Sequence, residues 1–136
     1  MLTPRQMSIL APTAILFWIV ATAAIRFFPG AFVEPLRGDL AFATSIPVCW
    51  LCVVAVRRWA GLAREQLVAG VAFVVALAML IDGSALRWAY QVYGDGGEVY
   101  RLGAAWLLWG YGVSLAIALA MAGEWGASKR EAERLP

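Results

Sequence analysis

Four long apolar runs divide this chain, at Met7–Phe28, Leu40–Val56, Gln66–Ile81 and Leu102–Ala122. A helix needs about 20 residues, each rising about 1.5 Å, to cross the roughly 30 Å hydrocarbon layer of a bilayer. With their flanks, the runs predict helices over about 7–28, 40–58, 65–83 and 102–123, the third able to continue to 92. Length decides the assignment, because helices that face both lipid and one another are apolar all round. The expected fold is all-α: an integral membrane four-helix bundle over residues 1–125, followed by a charged tail over 126–136. With 62% hydrophobic and 15% charged residues, the composition departs from the half-apolar, quarter-charged balance of soluble domains.

Lysine and arginine set orientation, because translocating them is disfavoured. Arg5, Arg57, Arg58, Arg64, Lys129, Arg130 and Arg134 would lie on one side, against Arg26, Arg37, Arg87 and Arg101 on the other. Both termini are therefore expected in the cytoplasm. Trp59, Trp88 and Trp125 stand at segment ends, where amphipathic rings favour the headgroup region. An alternative for the first run is a secretory signal, since Ala21-Thr22-Ala23 has the small-residue spacing of a cleavage site. Its apolar run is longer than a usual signal core and its basic flank is a single arginine, which favours an uncleaved helix.

The chain has no histidine, and its two cysteines are Cys49 and Cys52. Imidazole ligation of haem and the usual zinc sets are thereby excluded, and the acidic residues lack metal-loop spacing, so no metal or cofactor is expected. A net charge of +2 with scattered basic residues gives no reason for a nucleic-acid partner.

Asp82 closes the third run in Ala78-Met79-Leu80-Ile81-Asp82-Gly83. A carboxylate there is costly unless it is paired, protonated or hydrated. Counted along the helix from Gln66, Asp82 lies about 24 Å across; counted from Met7, Arg26 lies about 28 Å across on the same side. An Arg26–Asp82 ion pair is therefore expected, with Arg87, five residues beyond Asp82, a less well placed partner. The other readings are an Asp82 that carries a proton or cationic ligand, and one that faces outer water. Tyr111 lies some 13 Å below the outer end of its helix and needs a partner for its hydroxyl. With Trp106 and Trp109, which share a face, it either lines a polar pocket with Arg26 and Asp82 or packs in the core.

Cys49-Trp50-Leu51-Cys52 has the spacing of a redox disulfide, and Pro47 just before it bends the helix and frees a carbonyl. Quinone-coupled thiol oxidases of the bacterial inner membrane share four helices and such a pair on the second. There, however, the pair sits at the outer end of the helix and a second pair occupies the last loop. Here Cys49 is about 13 Å deep, and no cysteine falls between Asp82 and Arg101. Packing residues are the favoured reading of both. On the fourth helix Gly112, Ala116 and Ala120 recur at every fourth position, predicting a stripe that packs against another helix of the same chain, or less readily a second copy. The embedded glutamate that small multidrug exporters carry on their first helix is absent.

Ile81-Asp82-Gly83, Tyr93-Gly94, Gly103-Ala104 and Leu107-Leu108-Trp109-Gly110-Tyr111-Gly112, with Arg26 and Pro47, resemble an uncharacterised family of small bacterial four-helix membrane proteins, a domain of unknown function. The resemblance runs to about Ala122. The departure is after Tyr93, where Gly94-Asp95 stands in place of the family's Pro-Asn turn. It implies the four-helix topology and no activity. The expectation is a non-enzymatic, multi-pass protein of the bacterial inner membrane, structural or binding a small or lipid-like ligand, with the Arg–Asp pair near the periplasmic face. Its partner would be the lipid bilayer, with a homodimer or another membrane protein left open. The alternatives are a small transporter or proton-coupled carrier using Asp82 and, more weakly, a thiol oxidoreductase using Cys49 and Cys52.

Overall fold

A computed structural model describes residues 1–94 and 96–123. The expected tail, together with Trp125 and Asp95, lies outside the described residues. Five α-helices follow in order: α1 (Pro4–Phe27), a single turn α2 (Gly30–Val33), α3 (Pro35–Trp59), α4 (Leu67–Trp88) and α5 (Gly97–Ala122). Short 3-10 turns at Arg64–Gln66 and Tyr90–Tyr93 flank α4. Four of the helices are long and apolar enough to cross a membrane.

Helix ends fall outside the apolar runs because polar residues near the termini still find backbone partners. α1 starts at Pro4, whose missing N–H costs nothing in a first turn, and Thr3 caps it. The Thr3 hydroxyl accepts from the Gln6 N–H at 3.2 Å, while the Gln6 side chain accepts from the Thr3 N–H at 2.9 Å. α3 likewise starts at Pro35, so residues 29–39, between the first two expected helices, hold α2 and the first turn of α3. Arg37 and Glu34 pair across that turn at 3.0 Å. At the other end of the chain, α5 stops at Gly123, whose φ of +77° suits a residue without a side chain. Arg64 then donates to the Ala122 carbonyl at 3.1 Å.

The packing order differs from the chain order. α1 lies against α4, α4 against α5, and α5 against α3, while α1 and α3 scarcely touch. The main core gathers Leu10, Ala14, Val53, Val56, Val71, Val74 and Ala118. A second core near the α1–α2 link joins Ile25, Phe32, Tyr93 and Leu107. Outward faces carry large apolar side chains such as Leu16, Val20, Leu51, Leu80 and Leu108, each roughly half-exposed or more. Such surface suits acyl chains and would be a liability in water.

The small-residue stripe expected on α5 is corrected here. Gly112 and Ala120 are exposed, and a Cβ built on Gly112 meets nothing within 4 Å. The close approach is made at Gly103, where a Cβ would stand 3.0 Å from Ile25 of α1. Both faces have small residues at helical spacing. The choice between them follows from the bulk around them: Leu107, Tyr111 and Leu115, one turn apart on the Gly103 face, carry the apolar area that fills the bundle.

Candidate functional site

Asp82 projects from α4 into the bundle and is 4% exposed. Its two carboxylate oxygens each accept a phenolic hydrogen bond, one from Tyr93 of the Tyr90–Tyr93 turn and one from Tyr111 of α5. Trp18 of α1 donates its indole N–H to the Tyr93 hydroxyl at 3.3 Å. Three helices and one turn thus converge on a single carboxylate. Hydrogen bonds to a carboxylate are stronger than those between neutral groups, and their value rises where water is absent. Tyr93, 1% exposed, is the largest fully buried side chain among the described residues. Burial pushes its phenol up to about 12; the bond to Asp82 acts the same way, and the bond from Trp18 opposes it. The Thr22 hydroxyl beside it is buried with no hydrogen-bond partner among the described residues.

The expected Arg26–Asp82 ion pair does not form. Arg26 is exposed at the last turn of α1 and donates to the Gln91 carbonyl at 2.7 Å and the Val92 carbonyl at 3.4 Å. Both residues stand at the same end of the bundle, as counting along the helices predicts, but counting does not set the direction of either side chain. Two phenols satisfy a buried carboxylate without stripping water from a second charge, which is the costly part of a buried ion pair. Arg26 instead closes the open carbonyls of the turn that carries Tyr93. Arg87 is exposed and, among the described residues, outside the ion pairs, which are Arg37–Glu34 and Arg101–Glu98.

Of the residues singled out in the sequence, Tyr111 reaches Asp82 and Trp109 does not. Trp109 donates to the Phe42 carbonyl at 3.2 Å and the Ser45 hydroxyl at 3.1 Å, and Trp106 donates to the Ala41 carbonyl at 3.2 Å. Both indoles tie α5 to the turn of α3 ahead of Pro47. Tyr93 is the partner that the sequence did not point to, since it stands there only in the Tyr93-Gly94 pair that carries the family resemblance. Its signal was a tyrosine eleven residues after a buried carboxylate in a link that must fold back.

Beside this cluster lies a cavity of about 330 Å³. All four long helices contribute: Trp18 and Ala21 from α1, Cys49 and Cys52 from α3, Ala78 from α4 and Tyr111 from α5 are among its walls. Val20 and Val48, exposed on α1 and α3, stand at its rim, where those two helices part. Cys49 and Cys52 are free thiols, half-buried on this wall, and Cys49 donates weakly to the Gly110 carbonyl at 3.5 Å. Among the described residues no group of histidine, cysteine and acidic side chains could hold a metal ion.

A four-helix chain of membrane-spanning proportions, organised around a buried carboxylate, is the class that fold and site define. Residues 34–125 match the model of a family of unknown function, DUF5367, and the chain belongs to that family. Asp82, Tyr93 and Tyr111 all fall within the matched residues, while Trp18 on α1 lies before them. No curated protein and no solved structure matches the chain significantly.

Proposed function

We propose that this protein is a non-enzymatic, multi-pass component of the bacterial inner membrane, with both chain ends in the cytoplasm, that holds a lipid-like apolar chain between α1 and α3. The excess of arginine and lysine at one end supports the orientation. The cavity carries the binding reading. Its volume of about 330 Å³ reaches the lower end of ligand sites, roughly 300–1,000 Å³, and is about twice the size of an engineered void that takes benzene. Its walls are almost wholly apolar, and its rim carries the exposed side chains of Val20 and Val48, a face that suits lipid better than water. The Asp82–Tyr93–Tyr111 cluster serves this site by fixing α4, α5 and the turn as a rigid back wall.

Native mass spectrometry of the full chain after partial delipidation tests the reading. The wild type should retain lipid, and Ala21→Phe or Ala24→Phe, which fill the cavity from α1, should lose it while melting at or above the wild-type temperature. Retention by folded variants of both kinds would overturn it.

Asp82 supports a second reading, a carrier that moves a proton through this residue. The observation in its favour is that the carboxylate has no basic partner among the described residues and meets the cavity through Tyr111. It requires pH-dependent flux in proteoliposomes that Asp82→Asn abolishes while the protein stays folded.

A further inference from the structure

The α1–α3 seam holds a second recess. At the end of the bundle where α1 begins and α3 stops, a groove of about 330 Å³ is bounded by Thr3, Arg5 and Gln6 on one side and by Arg58 and Trp59 on the other. Its lining includes two arginines and no carboxylate. Both guanidiniums are exposed, and the ion pairs among the described residues lie elsewhere. Gln6 cannot serve as their counterpart, because its amide is already engaged with Thr3 and Gln66. The groove therefore concentrates positive charge at the end of a long apolar helix, beside the exposed indole of Trp59, a residue type that favours a membrane interface.

Groove and cavity share a wall. Phe17 lines the cavity, Trp59 lines the groove, and their ring centroids are 6.2 Å apart. A molecule with a charged head and an apolar tail, lying along the seam, would meet both in the order that a membrane imposes. We propose that the ligand is an anionic phospholipid whose phosphate sits between Arg5 and Arg58 and whose acyl chain runs past the Phe17–Trp59 pair into the cavity, an assignment that rests on the lipid-binding reading above. Arginine suits the role, since its planar fork matches phosphate oxygens and it gives up water more readily than an ammonium. Basic pockets between membrane helices on the cytoplasmic side recognise acidic lipid headgroups by the same chemistry.

The test uses the full chain in mixed micelles holding equal amounts of phosphatidylglycerol and phosphatidylcholine with identical acyl chains, read by native mass spectrometry. The wild type should retain phosphatidylglycerol over phosphatidylcholine by roughly thirtyfold, the scale expected of two arginines near the surface at about 1 kcal/mol each. Arg5→Gln with Arg58→Gln should bring the ratio close to one without changing the total lipid retained or the melting temperature, and Arg58→Lys should keep part of the preference. Equal retention of the two lipids by the wild type would overturn the headgroup site and leave chain binding intact. Loss of the preference in millimolar inorganic phosphate would make the groove a site for free phosphate, and so overturn the lipid assignment. Unchanged retention of both lipids in Ala21→Phe would overturn the cavity reading itself, whatever the headgroup ratio.

Discussion

Asparagine at position 82 keeps the shape of aspartate but turns one acceptor into a donor, so at least one of the two phenols loses its natural partner. Asp82→Asn should lower stability in detergent by about 1–3 kcal/mol, read as a fall in melting temperature, and Tyr111→Phe by about the same or less. Arg26→Gln should destabilise independently, by freeing the Gln91 and Val92 carbonyls. The double variant with Asp82→Asn should therefore show no recovery. A recovery would mean that the two charges see each other after all. Tyr93 adds a pH dependence. Its phenol is raised from an ordinary value near 10 to about 12, so the folded state holds a proton that the unfolded state releases first. Its stability contribution is complete below about pH 10 and lost as pH rises through about 12. Melting curves across that interval should drop in the wild type and drop less in Tyr93→Phe.

At the scale of elements, small residues separate into those that permit contact within the chain and those that stand exposed on its outside. Gly103→Val should cost about 1–3 kcal/mol, because the added methyls meet Ile25 of α1, which is fully buried and has little room to move. Gly112→Ala should be neutral, or stabilising by up to about 1 kcal/mol, since open space receives its methyl and the helix gains a better former. Thermal unfolding of both in one detergent checks the pair, and the reverse ranking would restore the stripe read from the sequence. The helices themselves were legible from length and hydropathy alone. Which face of α5 turns inward was not, because both faces carry small residues at the same spacing. Similarly, that Asp82 and Arg26 share one end of the bundle followed from counting residues, and Tyr111 could be grouped with Asp82, whereas the two phenolic bonds to its oxygens could not be read. One of the two phenols sits in a turn whose path depends on α1 and α5 together.

At the scale of the whole molecule, the four long helices form two contacts that skip a neighbour in sequence, α1 with α4 and α3 with α5, joined through α4 and α5. The family match begins at Glu34 and so leaves out α1, yet α1 supplies Trp18 to the buried cluster and one wall of the cavity. The apolar walls of that cavity were visible in the sequence only as hydropathy. Their assembly into a void depends on α1 and α3 standing apart, which no local pattern encodes.

The separation of α1 from α3 also bears on how the chain is made. Across a membrane, α1 and α3 would find little partner in each other and would depend on α4 and α5 for their contacts. Assembly would then be governed by contacts distant in sequence. Splitting the gene at Gly61, which lies in the turn after α3 with open space around it, gives a direct check. Residues 1–61 expressed alone should be degraded, and co-expression with residues 62–136 should restore both fragments as a co-purifying pair. Accumulation of the first fragment by itself would show that the hairpin has a partner other than its own second half.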